Sequence, residues 1–168
     1  MERVSRNFDK KGDPLHNKKG VGVPCPSKNF IDEKYFRNIC KNCSVMERNK
    51  SKSKSPISYI RHLYSQLKYS RKKKNPEMEW AIEPEDLIAL WKKQKGRCAL
   101  SGMLMTYVKD GTGRKELNVS IDRIHPHRGY IASNMQLVCH RVNIMKHTLT
   151  EGEFWWWCKN IVEAQDEY

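Results

Sequence analysis

Val119-Ser120-Ile121-Asp122-Arg123-Ile124, then Gly129-Tyr130, then SNMQLVCHRVNIMK over residues 133–146, together determine the architecture of this chain. The first run ends a short apolar segment and carries Asp122 and Arg123 to the end of a strand. The loop His125-Pro126-His127-Arg128-Gly129-Tyr130 turns the chain. Ser133 is a good N-cap residue, and the spacing after it predicts a helix to about Lys146. On that helix Asn143 and Lys146 stand three residues apart, on one face. A carboxylate and an amide oxygen brought together form a hard oxygen site suited to Mg²⁺ or Mn²⁺. Arg123 and Lys146 are then placed to bind phosphate. Taken singly, a strand-end Asp-Arg pair is an ordinary surface ion pair and a helical Asn is ordinarily solvated. The ordered set is what points to chemistry.

Upstream, a strand is predicted over Leu104–Val108, a turn at Lys109-Asp110-Gly111-Thr112-Gly113, and a second strand over Leu117–Ile121. Before them a helix is predicted from Pro84, with Glu85 and Asp86 in its first turn and Gly96 ending it. Another runs from Pro56 to about Ser70, with Ile60, Leu63, Tyr64 and Leu67 as its apolar stripe. The basic tract Arg71-Lys72-Lys73-Lys74 comes directly after it. Downstream, Thr150-Glu151-Gly152-Glu153 is a capping-box pattern that opens a last helix. Its three consecutive tryptophans, Trp155 to Trp157, cannot share one face. The fold class expected is α+β: a small ββα core, flanking helices and a basic N-terminal segment.

The charge is divided unevenly. The chain of 168 residues has a net charge of +13, yet residues 1–75 hold 20 Lys/Arg against 6 Asp/Glu, and residues 76–168 hold 12 against 13. All the excess positive charge lies in the first part, and such a field points to a polyanion, nucleic acid above all. A solubility surface is the plain alternative. No apolar run is long enough to cross a bilayer, so no membrane partner is expected. Two parts are expected: a basic DNA-binding arm over 1–75, with Arg71, Lys72, Lys73 and Lys74 on the backbone, and a catalytic domain over 76–168.

The motif residues resemble the HNH, or ββα-metal, endonuclease family, in particular phage and homing members reading SIDRI…GY…N-x-Q-x-V-C-x-x-x-N-x-x-K. The resemblance spans about residues 84–162. It implies a ββα-metal core, metal-ligand roles for Asp122 and Asn143, and a bracing role for Asn134 between loop and helix. The sequence departs from the family pattern where the general base is usual: Arg123 stands in place of His. Arginine stays protonated and cannot be that base. His125 and His127 in the loop are the leading candidates, with His140, Tyr107 and Tyr130 behind them.

Many relatives hold this region with zinc between two Cys-x-x-Cys pairs. Here Cys98 and Cys139 each lack their partner, so packing is expected in place of that zinc. The N-terminal segment differs. Cys40-Lys41-Asn42-Cys43 is a complete knuckle, with Cys25 upstream and His16 as the candidate fourth ligand of a structural Zn²⁺. The alternative is three free thiols.

The expected function is hydrolysis of phosphodiester bonds in duplex DNA, of the phage-type, site-specific homing kind. A nuclease for branched DNA and a DNA-binding module with a dead site are the alternatives. The opening Met1–Arg6 leads into no apolar stretch, so no secretory leader is expected, and the expected compartment is the cytoplasm, that of the host cell if phage-encoded.

Overall fold

A computed structural model of the chain describes residues 41–109, 113 and 115–166. The chain forms two compact units, Met1–Lys52 and Ser53–Tyr168. In the first, the described element is helix α1, Lys41–Lys52, with Lys50 and Lys52 in the last turn where cations suit the helix dipole. Cys43 falls within α1, whereas His16, Cys25 and Cys40 lie outside the described residues.

The second unit opens with helix α2, Pro56–Lys74. Ser55 caps it, its hydroxyl accepting the Ser58 N–H at 3.1 Å, and Pro56 fits the first turn. The helix runs one turn past Ser70, so the tract Arg71–Lys74 is its last turn rather than a tail. Tyr59, Ile60 and Tyr64 are buried in the core of this unit. Residues 53–75 therefore fold with the C-terminal part of the chain.

Strand β1, Trp80–Ala81, leads into helix α3, Pro84–Lys93. A capping box between Glu83 and Asp86 starts α3, and Leu87 and Ile88 are its buried face. Lys95 and Gly96, at φ 53° and 69°, end it. The strand expected over Leu104–Val108 is absent. In its place stand two isolated bridges, Arg97 to Leu104 and Thr106 to Asn118. Asn118 organises that segment from a fully buried position. Its Oδ1 accepts from Thr106 Oγ1 (2.7 Å) and the Val108 N–H (3.0 Å), and its Nδ2 donates to the Tyr59 hydroxyl (3.0 Å) and Val108 O (2.7 Å). A buried amide satisfied at both ends costs little and fixes a loop that has no ladder.

Strand β2, Val119–Arg123, begins two residues later than the expected Leu117. Strand β3, Tyr130–Ile131, pairs parallel with β1, Trp80 opposite Tyr130. Gly129 is required there, since a Cβ on it would lie 2.7 Å from the Glu79 carbonyl oxygen.

The largest difference from expectation lies at residues 132–139. Ser133 caps no long helix: residues 132–134 form a single 3₁₀ turn, and Met135–Cys139 is strand β4, all five residues buried. It pairs antiparallel with β2, with Asp122 opposite Gln136 and Arg123 opposite Met135. Gln94 covers the backbone groups of Leu137 that face away from β2, donating to its O at 2.7 Å and accepting its N–H at 3.0 Å. Only then does helix α4 begin, His140–Lys146. The antiparallel pair with a helix on it is thus β2, β4 and α4, and the strands expected before Asp122 do not form it. Helix α5, Glu151–Asp166, closes the unit, opened by the reciprocal bonds of Thr150 and Glu153.

The core gathers Ile60, Ile82, Leu87, Val119, Leu137 and Val138, each at most 2 % exposed. Burying side chains of this size stabilises by about 1.5–3 kcal/mol apiece. Cys98 and Cys139 lie together within it. Burial, and then the charge of Cys98, pushes the Cys139 thiol up to about 11. Of the last helix, Phe154 is buried while Trp155, Trp156 and Trp157 are all exposed. The described residues thus form an α+β arrangement of helices and two small two-stranded sheets.

Candidate active site

Alternation along β2 turns Ser120 and Asp122 to one face, and α4 lies on that face. Its residues Asn143 and Lys146, one helical turn apart, meet those two strand residues in order. Asn143 Nδ2 donates to Ser120 Oγ at 2.7 Å and to Ile121 O at 3.3 Å. No described residue bonds to its Oδ1, which is left as the oxygen donor of that side chain. Lys146 Nζ reaches both oxygens of Asp122, Oδ2 at 3.2 Å and Oδ1 at 3.3 Å, and donates to Arg123 O at 2.9 Å.

Asp122 is buried, and its second partner is Gln136, whose Nε2 donates to Asp122 Oδ2 at 2.9 Å and to Glu151 Oε1 at 2.8 Å. Two carboxylates, from β2 and α5, are therefore joined through one amide. Sequence reading missed Ser120, Gln136 and Glu151. Gln136 alone left a signal: one polar residue within an otherwise apolar five-residue run.

Lys146, expected on phosphate, has no exposed surface, and its ammonium is engaged by Asp122 and Arg123 O. A phosphate contact would need that pair to open. Arg123 is half-buried. Its Nη1 donates to Arg128 O at 2.9 Å and to Met78 Sδ at 3.4 Å, and its guanidinium lies 5.0 Å over the Tyr130 ring. Its Nε and Nη2 have no hydrogen-bond partner among the described residues.

Asn134 is 1 % exposed. Its Oδ1 accepts the His125 N–H at 2.8 Å, and its Nδ2 donates to His125 O (3.1 Å) and Gly129 O (3.0 Å). It thereby holds both ends of the loop carrying the candidate bases. His125 and His127 are exposed on that loop. His127 lies near Glu153, whose carboxyl is held below its usual range by the Thr150 N–H first, then by the Thr150 hydroxyl, with the charge of His127 adding to them. Tyr130 is buried under Arg123 and against Trp80, at 4.7 Å between rings, and Tyr107 packs on Trp91. His140 stands in the first turn of α4. Lys72, Lys73 and Lys74 are exposed, whereas Arg71 is half-buried.

The donors at Asp122 and Asn143 are oxygens, the chemistry a hard divalent cation takes. A cation already sits on the carboxylate: it is Lys146. An ion bound by Asp122 would share the carboxylate with that ammonium. Among the described residues no group of three or more His, Cys, Asp and Glu is placed to hold a metal. No described helix is long and apolar enough to cross a membrane. Compared with family models, with curated proteins and with solved structures, the chain has no match in any of the three.

Proposed function

We propose that this chain is a metal-dependent endonuclease that hydrolyses phosphodiester bonds in duplex DNA, with a ββα-metal site built from β2, β4 and α4. The observation that carries the reading is the seating of Asn143 on Ser120 and Ile121, immediately beside Asp122. The ordered resemblance of residues 119–146 to phage and homing HNH enzymes supports it, as does the positive charge of the first 75 residues. The proposed ion is Mg²⁺ or Mn²⁺ on Asp122 and Asn143, and it would supply charge stabilisation for the leaving oxygen.

The protein's own residues do the rest. Arg123 offers its unengaged N–H groups to the scissile phosphate. His127, or His125 beside it, takes the proton of the attacking water; the new P–O bond forms as the ester P–O bond breaks. Asn134 keeps that loop in place. Residues 1–75 bind the backbone, and the segment around Cys25, Cys40, Cys43 and His16 is proposed to hold structural Zn²⁺.

A specific observation favours a second reading. Because Lys146 occupies Asp122, the pair is also what a DNA-binding module with a purely structural ion pair would contain. Plasmid nicking with Mg²⁺ or Mn²⁺, with and without EDTA, and alongside a four-way junction, separates the two. Cleavage that EDTA stops, and that Asp122→Ala and Asn143→Ala abolish while duplex binding persists, is expected. Metal-dependent turnover by either variant at the normal rate overturns the site. DNA binding without any cleavage selects the module, and preference for the junction selects a branched substrate.

A further inference from the structure

Between α2 and the β2–α4 face lies a cleft of about 390 Å³, within the range of ligand sites. From α2 it is lined by Gln66, Ser70 and Arg71, and from the opposite side by Ser120, His140 and Asn143. No carboxylate of the described residues lines it. Among the described residues Arg71 is its one permanent charge, and the Arg71 Nε–H is buried with no acceptor among them. Buried donors are nearly always paired, so this one calls for an acceptor that the described residues do not supply. Its neighbours Lys72, Lys73 and Lys74 project into solvent and do not line the cleft.

We infer that the cleft is a phosphate-binding subsite in which Arg71 grips a backbone phosphate of the nucleic-acid strand beside the candidate cleavage position. The inference rests on the nuclease reading for its choice of ligand, since Ser120 and Asn143 belong both to the cleft and to the proposed catalytic site. A phosphate suits this lining. The guanidinium offers a planar fork to two of its oxygens, and hydroxyl and amide groups supply further donors. The three exposed lysines that follow Arg71 in α2 add a positive field without fixing geometry. Arg71 is thereby separated from the rest of its tract: it positions a phosphate, and the others contribute attraction.

Fluorescence anisotropy of a short labelled duplex, in EDTA so that nothing is cut, tests this on the full chain. Arg71→Gln is expected to weaken binding about tenfold and to lower the slope of log K against log salt by about one. Lys73→Gln, an exposed control, should cost about threefold or less. Arg71→Lys should fall between them, because it keeps the charge and loses the fork. Gln66→Trp, on an exposed helix position, fills the cleft and should match Arg71→Gln with an unchanged thermal melt. Competition by free thymidine monophosphate, lost in Arg71→Gln, would show that the cleft takes a nucleotide's own phosphate. Absence of competition, with the Arg71→Gln loss intact, assigns it to strand phosphate. Equal losses for Arg71→Gln and Lys73→Gln overturn the subsite, whatever the cleavage assays give. Conversely, a large Arg71→Gln loss in a chain that never cleaves leaves the subsite standing and removes the nuclease reading.

Discussion

A lysine with no exposed surface survives only if its charge is paired, and Lys146 is paired with Asp122. Removing the ammonium leaves a buried carboxylate uncompensated. Lys146→Met should therefore cost about 3–5 kcal/mol in urea unfolding, and adding Asp122→Asn should return most of it. Equal stability of wild type and Lys146→Met would show that the pair is not closed in solution. Arg123 is a different case, because its anchoring through Nη1 and Tyr130 leaves donors unengaged. Under the nuclease reading Arg123→Ala should lower the cleavage rate by roughly two orders of magnitude. Arg123→Lys should be impaired too, while the alkaline rise of the pH–rate profile persists in both, since arginine is not the base. Normal cleavage by Arg123→Ala would reduce it to a loop anchor. Among single side chains much was legible: Asp122, Arg123, Asn134 and Asn143 all stand around one strand end and its loop. Burial of Lys146 was not, because a terminal Lys of a helical pattern looks the same whether it faces water or a carboxylate.

Among elements, β4 is the one the sequence disguises. Ser133 offers a helix cap, and the apolar residues after it fit either period. What decides is pairing: Met135–Cys139 gains a full ladder with β2, and burial of all five residues outweighs the local signal. The short parallel pair β1–β3 was equally hidden, since two-residue strands have no periodicity to read. Its mark in the sequence is Gly129, and the crowding there gives a test. Gly129→Ala forces a methyl group against the Glu79 backbone and should cost about 1–3 kcal/mol in chemical denaturation. It should also disturb the loop that Asn134 holds, so under the nuclease reading cleavage should fall more than stability alone explains. An unaffected midpoint would mean that the Glu79–Tyr130 contact is open in solution.

Across the full chain, charge was the most legible property and the boundary between parts the least. The basic half does not end where the folding unit begins: α2 carries the tract Arg71–Lys74 yet buries Ile60 and Tyr64 in the second unit. An amphipathic helix serves a core and a surface at once, which a sum of charges cannot reveal. A fragment of residues 53–168 should therefore melt cooperatively, and one of residues 76–168 should not, as read by calorimetry. Under the DNA-binding reading, the longer fragment should bind duplex DNA with a shallower salt slope than the full chain, because fewer counterions are released. Cooperative melting of the shorter fragment would refute the assignment of α2 to that core. Finally, the Gln94 amide that spans both backbone groups of Leu137 has a consequence beyond the fold. An open strand edge invites a second molecule to add a strand of its own. Here the Gln94 side chain, with the Ala99 N–H beside it on Leu137 O, takes the place of that visitor, so the sheet stops growing at β4. Gln94→Ala should leave the Leu137 N–H without its acceptor, and concentration-dependent self-association in light scattering, stronger than in the wild type, is what the vacated edge would produce.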